Sequence, residues 1–387
     1  MIGQPVYKRI YSDLLEKINS GILKPGERLP SEMELCGIYN VSRITSKRAL
    51  ELLAEQGYIF RSPGKGSFVS SITLQSGKSN SFSKGIIALI IPDFSDSFGT
   101  KLLYGIEESC SALGYHLILK RTRDHVEEEA AAIKFLSNVA GILLLPVHGE
   151  FYNQEILKLI FQRKPLVFVD RKLRGLAAPT VTTNNLEAAE TGAGYLLELG
   201  HRNIAFFSGP LIHTSTVEDR HQGFLNAFAK YKINHNPSYL CQELSSIWTW
   251  PFYSPKGIEK DIKTAANLLK IHPKITAAFT TEHFMAVIVK AAAESLGKSI
   301  PENFSILTFD TPLSFTGVPP ITHLFQDEYS VGKEAVHALH RIITFNDQER
   351  NHRASRKTDA QVLSADILVP AKLVVGSSTG PISHNIG

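Results

Sequence analysis

Cysteine, methionine and tryptophan are scarce in this 387-residue chain, with three, three and two copies. Cys36, Cys110 and Cys241 are odd in number and far apart, which argues against a disulfide framework and points to reduced thiols. The fourteen histidines show no His-x-x-x-His or cysteine-linked spacing, so no metal is expected. No apolar run approaches the length of a membrane-crossing helix, and the first residues lack a basic flank ahead of a long apolar stretch. A cytoplasmic protein without membrane attachment is expected. Ser-His-Asp order, paired-carboxylate motifs and phosphate loops are also missing, so neither catalytic residues nor cofactors are expected.

Acidic charge is short in one part of the chain only. Residues 1–84 hold 12 Lys+Arg against 7 Asp+Glu, a net +5, whereas the remainder holds 29 against 30, a net −1. A basic front segment on a near-neutral body suits contact with a polyanion, although a modest excess also suits a solvated surface.

Within that front segment, Ser31-Glu-Met-Glu34 has capping-box spacing, so a helix is expected to start there and run to Tyr39. Asn40 and Val41 make a turn, and Ser42 caps a second helix running toward Gln56. Apolar Ala49, Leu50, Leu52 and Leu53 face inward, while Arg43, Thr45 and Lys47 occupy the first turns, where recognition helices meet base edges. Gly57 ends the helix, and two short strands flank the turn-forming stretch Arg61-Ser-Pro-Gly-Lys-Gly66, placing Arg61 and Lys65 at a hairpin tip. Gly64-Lys65-Gly66 lacks the Ser/Thr and the upstream glycine of a Walker loop. Singly, each motif is ordinary: Ser-x-x-Glu caps many helices, and basic groups at helix starts are usually solvated.

Together they resemble the GntR-family winged helix-turn-helix. The elements Pro25-Gly26, Leu29-Pro-Ser-Glu32, Val41-Ser-Arg43 and Gly64-Lys-Gly-Ser-Phe-Val69 stand in that family's order and spacing. The resemblance implies that Arg43, Thr45, Lys47 and Gly64 touch double-stranded operator DNA. Met33, Ile44 and Lys47 replace residues common in the family, so the operator sequence does not carry over, and lysine is a poorer fork on guanine than arginine.

Residues 71–84 are rich in serine, glycine, asparagine and lysine and read as a linker. A winged helix-turn-helix domain is expected over residues 1–70, and a two-lobed effector-binding and dimerisation domain over residues 85–387. The second part alternates short buried-strand runs with amphipathic helices, the cadence of an α/β fold with parallel sheets. The phrases Pro165-Leu-Val-Phe-Val-Asp-Arg171, Leu199-Gly-His-Arg-Asn-Ile-Ala205, Arg220-His-Gln-Gly-Phe224 and Ile300-Pro-Glu-Asn-Phe-Ser-Ile306 make it resemble the LacI/GalR effector domain. That domain is similar to the type I periplasmic-binding-protein-like fold.

The resemblance implies three crossings between lobes, near Pro179, near residues 325–327 and near residues 356–363. It also implies a homodimer and an effector site at Phe98, Thr216, Arg220, Asp310 and Gln326. Arg220 would fork onto hydroxyls or a carboxylate, Asp310 would accept from hydroxyls, and Phe98 would close a wall. Asp93, Asp96, Trp248, Trp250 and Glu282 lie on expected cleft loops as weaker candidates. Departures from the family pattern at Asn184-Asn185, Ala188-Ala189 and Glu282-His283 leave the common family sugars in question.

The head-and-body combination resembles arabinose-responsive repressors and implies a ligand-responsive transcription regulator with a small, sugar-like effector. A sugar sensor or transport-associated binding protein without DNA affinity is the alternative, ahead of a sugar-acting enzyme.

Overall fold

The computed structural model describes residues 6–24, 26–55, 58–62, 66–69, 85–93, 98–148, 153–209, 214–244, 254–310, 321–351 and 365–382. Contacts divide the chain into two compact units, Met1–Lys84 and Gly85–Gly387.

In the first unit, α1 (Val6–Asn19) presents Ile10, Leu14 and Ile18 on one face, and all three are buried. Helix α2 (Glu32–Tyr39) begins at the expected capping box: Ser31 Oγ accepts from the Glu34 amide at 3.2 Å, and Glu34 Oε2 accepts from the Ser31 amide at 2.7 Å. Asn40, at φ 51°, ends α2 in the left-handed region that asparagine tolerates. Helix α3 (Arg43–Glu55) follows, with Ser42 Oγ accepting from the Thr45 amide. Strands β1 (Ile59–Ser62) and β2 (Gly66–Val69) pair antiparallel with Ile59 opposite Val69. Leu29, Leu35, Ala49, Leu50, Leu53, Ile59 and Val69 close one core with α1. This is a three-helix core carrying a β-hairpin.

Among the described residues, the second unit has two six-stranded sheets. Its elements in chain order are β3 (Ile86–Ile91), α4 (Thr100–Ala112), β4 (His116–Arg121), α5 (Val126–Phe135), β5 (Gly141–Leu144), α6 (Gln154–Phe161), β6 (Leu166–Val169), β7 (Thr180–Thr183), α7 (Asn185–Glu198), β8 (Ile204–Phe207), α8 (Ser215–Lys230), β9 (Leu240–Cys241), α9 (Pro255–Ile271), β10 (Ala277–Thr280), α10 (His283–Ser295), β11 (Ser305–Phe309), β12 (Thr322–Phe325), α11 (Glu328–Asn351), β13 (Ile367–Val369) and β14 (Lys372–Val374). The first sheet has the order β13-β7-β6-β5-β3-β4, and the second β14-β12-β11-β10-β8-β9. All neighbours are parallel except β12 and β14. Fully buried strands such as β5, β6, β8 and β10 are apolar throughout or nearly so, as sheets covered on both faces require. Each sheet has apolar clusters on both faces.

Among the described residues the chain passes between lobes three times, and two crossings differ from expectation. Strand β7 still belongs to the first sheet, paired with β6 and β13, so the first crossing falls at Asn184 rather than near Pro179. The second falls at Gln326 and Asp327, as expected, because α11 returns to pack on α4 and the first sheet. The third falls at residues 370–371, since β13 lies beside β7 while β14 pairs with β12. Residues 356–363 lie outside the described residues. None of the described helices is long and apolar enough to cross a membrane.

Candidate functional site

On the head, the outward face of α3 carries Arg43, Ile44, Lys47 and Arg48, all exposed, while Ser46, Ala49, Leu50 and Leu53 point inward. Ile44 is 81% exposed, an apolar group held in water at the start of a basic helix. Ser46 Oγ, fully buried, donates to backbone oxygens of Glu32 and Arg43 and so locks α2 against α3. Glu32 then spans two elements: its carboxylate lies 3.1 Å from Arg43 Nε and 3.7 Å from Arg61 Nη2 on the hairpin. The structure thus brings Arg43, Lys47 and Arg61 onto one side, and sequence reasoning missed Arg48 and the bridging role of Glu32. Thr45 is half-buried, with its hydroxyl 2.9 Å from Ser42 Oγ, so capping engages the group expected to read bases. Gly64 and Lys65 lie outside the described residues.

In the second unit, polar groups gather where strands of both sheets end at their carboxyl termini, the place where parallel sheets bind ligands. Arg220, on α8, is 5% exposed and anchored on three sides. Its Nε donates to Asn185 Oδ1 at 2.7 Å, Nη1 to the Thr281 carbonyl at 2.7 Å and Nη2 to Gln326 Oε1 at 3.2 Å. The guanidinium carbon lies 3.9 Å from the centre of the Phe309 ring, a cation–π contact. Gln326 Nε2 in turn donates to Asp310 Oδ1 at 2.5 Å. Close approach of α7 and α8 makes this possible: an added Cβ on Gly223 would fall 2.1 Å from the Leu186 carbonyl oxygen.

Of the residues expected at the effector site, Arg220, Asp310 and Gln326 therefore form one buried network. Thr216 is buried at the start of the same helix, and Phe98 is half-buried against the core of the first sheet, beside Gly99, whose amide donates to Glu328. With three of its five donors committed to protein, Arg220 keeps two for a ligand. Asp93 is engaged by Arg121 at 2.5 Å, and Asp96, Trp248 and Trp250 lie outside the described residues.

In the first lobe, sequence reasoning named Phe98, Asp93 and Asp96 but missed Asp124, His148, Asp170 and Arg171. Asp170 and Arg171 follow β6, and Arg171 Nη1 donates to the Pro146 carbonyl at 3.0 Å. His148 Nδ1 lies 3.1 Å from Arg171 Nη1 and 2.9 Å from Asp124 Oδ2, accepting from the guanidinium in one tautomer or donating to the carboxylate in the other, and the His148 amide donates to Asp124 Oδ1 at 2.9 Å. Burial, reinforced by Arg171, pushes the His148 imidazole down to about 4. Asp170 and Asp310 are raised by burial, against the pull of nearby guanidinium groups. Burial and then Asp310 push Glu282 up to about 7, and burial does the same to Glu328 despite the Gly99 amide. The motif phrase containing Asp170 and Arg171 was the available signal; nothing local marked Asp124 or His148. Among the described residues, no group of three His, Cys, Asp or Glu side chains is placed to hold a metal ion.

Comparison with known proteins matches a stretch of each part to a family model. Residues 6–69 match the family model of bacterial regulatory proteins of the gntR family, and residues 193–379 match the periplasmic binding protein-like domain. The chain is a GntR-type head joined to a periplasmic-binding-protein-like body. This GntR-headed regulator is 25% identical to an arabinose metabolism transcriptional repressor of Geobacillus stearothermophilus over 79% of the chain and 82% of that protein. It is 24% identical to a repressor of the same description from Halalkalibacterium halodurans over 98% of both. A LacI family transcriptional regulator from Enterococcus faecium, solved with bound ribose, shares the fold at a TM-score of 0.58 and 23% identity, covering 77% of this chain and all of that one. The GntR-headed chain is a ligand-responsive DNA-binding transcription regulator, and these relatives are regulators rather than enzymes.

Proposed function

We propose that this regulator is a cytoplasmic homodimeric repressor whose grip on a two-fold operator changes when a small, hydroxylated, sugar-like molecule enters the body's cleft. The buried network joining Arg220, Asn185, Gln326 and Asp310 carries the reading. Asn185 sits just past the first crossing between lobes and Gln326 on the second, so a ligand that engages this network acts on the hinge itself. At the rim, the Lys172 amide donates to Ser215 Oγ and Arg174 lies 2.6 Å from Glu218, contacts that change with lobe angle. A ligand shifts the operator equilibrium only by its difference in affinity between lobe arrangements. The named repressors of sugar metabolism and the ribose-bound neighbour support an effector of this class.

On the DNA side, Arg43 and Lys47 hold the phosphate backbone with Lys65, while Arg43 and Thr45 read base edges and Gly64 also touches DNA. The test pairs calorimetry against pentoses and hexoses with operator binding followed by fluorescence anisotropy. A tightly bound sugar that left operator affinity unchanged would sink this reading.

A further inference from the structure

Ile44 occupies a position that folding does not account for. Its 81% exposure exceeds that of every other large apolar residue described in the head, where Met33 follows at 69% and Ile22 at 68%. A β-branched residue also ranks below alanine, leucine and lysine as a helix former, so on the surface of α3 it contributes neither burial nor propensity. Lone apolar groups are common on surfaces, and what singles this one out is its company.

Ile44 is the second residue of α3, and the other outward groups of the first two turns, Arg43, Lys47 and Arg48, are all cationic. Lys47 and Arg48 stand three and four positions further on, one turn along the same helix face. Such a face attracts the phosphates of a duplex and so brings Ile44 against the groove between them.

The first turn of α3 is also held in place. Ser46 Oγ, fully buried, reaches the Glu32 and Arg43 carbonyls, each at 3.0 Å, and the Glu32 carboxylate lies 3.1 Å from Arg43 Nε. The neutral polar side chains of this turn are engaged in folding: Ser42 Oγ accepts from the Thr45 amide at 3.3 Å and lies 2.9 Å from Thr45 Oγ1, while Ser46 points inward. The turn therefore presents a fixed apolar surface among cations.

In the major groove, the apolar group that base edges present is the C5 methyl of thymine. The remaining groups there are donors and acceptors, and an isoleucine pressed against one of them removes its water without returning a hydrogen bond. We infer that Ile44 is a specificity-determining residue that packs its branched side chain on a thymine methyl, once per half-site, and so selects an A·T pair at that position. This rests on the placement of α3 on DNA proposed above and narrows it to one side chain and one chemical group.

The experiment starts by enriching duplexes from a randomised pool with the full chain. Anisotropy titrations then compare the enriched duplex with copies in which each thymine in turn is replaced by deoxyuridine, which lacks only the methyl group. At one thymine of each half-site the replacement weakens binding by the parent about fourfold, the size of one buried methyl group. Ile44→Ala binds the thymine duplex more weakly than the parent and is unmoved by the replacement. Ile44→Val keeps the β-branch and most of the effect, and Lys47→Ala weakens both duplexes alike, leaving their difference in place. Ile44→Ala keeps the parent's melting temperature, because an exposed helix position accepts alanine. A marked fall in that temperature would give Ile44 a folding role and overturn the inference. Thymine methyl groups that do not matter, or that matter equally to the parent and to Ile44→Ala, also overturn it and leave α3 on DNA. A pool from which no duplex is enriched overturns the placement of α3 as well.

Discussion

Asp170 and Asp310 hold the same place in the two lobes. Each is the first residue past the third strand of its sheet, β6 or β11, and each has a left-handed backbone, at φ 65° and 70°. Each carboxyl is raised by burial, and Asp170 contributes to the rise at Asp310. The backbone conformation and the charge separate by substitution. Asn tolerates positive φ and keeps an oxygen for Gln326, so Asp310→Asn holds stability at or slightly above that of the parent. Asp310→Ala strains the backbone and strands Gln326 Nε2, at a cost of about 1–3 kcal/mol. Urea denaturation of both variants checks the difference, and equal stability would contradict it.

Arg220 is the keystone of the cleft because three protein acceptors depend on it. Removing it with Arg220→Ala leaves Asn185, the Thr281 carbonyl and Gln326 short of a donor and removes a cation facing Asp310. The expected loss is about 3–5 kcal/mol. Lysine keeps the charge but cannot donate in three fixed directions, so Arg220→Lys falls between alanine and the parent. Gly223→Ala offers an independent route to the same network: the new Cβ pushes α7 from α8 and draws Arg220 away from Asn185. It should weaken effector binding without removing any polar group, as calorimetry would show.

The pH dependence of stability has two limbs of opposite sign. His148 has its folded value near 4, below the ordinary 6.5, so the unfolded chain binds more protons between those values and stability is lost as pH falls through them. Glu282, near 7 in place of 4.5, does the reverse: the folded chain holds the extra proton, and stability present at acid pH is lost as pH rises through 7. Differential scanning calorimetry should show Glu282→Gln gaining a few degrees in Tm relative to the parent at pH 8 compared with pH 5. His148→Asn should gain relative to the parent as pH falls from 6.5 to 4. A constant offset across pH for either variant would refute its assignment.

Legibility in the sequence followed the range of the forces involved. The capping box at Ser31 and Glu34 and the apolar runs of β3, β5, β6 and β8 are local patterns, and the structure matches them. The edge strands β13 and β14, three residues each, carry too little pattern to announce themselves, which is why the third crossing lies at residues 370–371 rather than near residues 356–363. The cleft was half legible. Arg220, Asp310 and Gln326 stood at resemblance positions, but the commitment of Arg220 to Asn185 and Thr281 depends on α7 packing on α8. The role of the first lobe depends on β4, β3, β5 and β6 ending in one row. Asp124, His148 and Arg171 are 24 and 23 residues apart in sequence, so no window holds all three.

The head predicts a separation between salt dependence and sequence preference. Arg43 and Lys47 are exposed on α3, and each phosphate contact releases condensed counterions. Arg43→Ala or Lys47→Ala should therefore lower the slope of log affinity against log salt by about one. Arg43→Ala should also weaken operator binding about tenfold, because an arginine at a helix start contributes on the order of 1–3 kcal/mol of base discrimination. Glu32 sets an opposite test: its carboxylate neutralises both Arg43 and Arg61, so Glu32→Gln removes negative charge from the same face. Affinity for arbitrary duplex DNA should rise several-fold in that variant at low salt, and the gain should shrink as salt screens it. Anisotropy titrations of an operator and a scrambled duplex across a salt series measure all three effects. A salt slope unmoved by Arg43→Ala, or weaker duplex binding by Glu32→Gln, would remove α3 and the hairpin from the DNA interface.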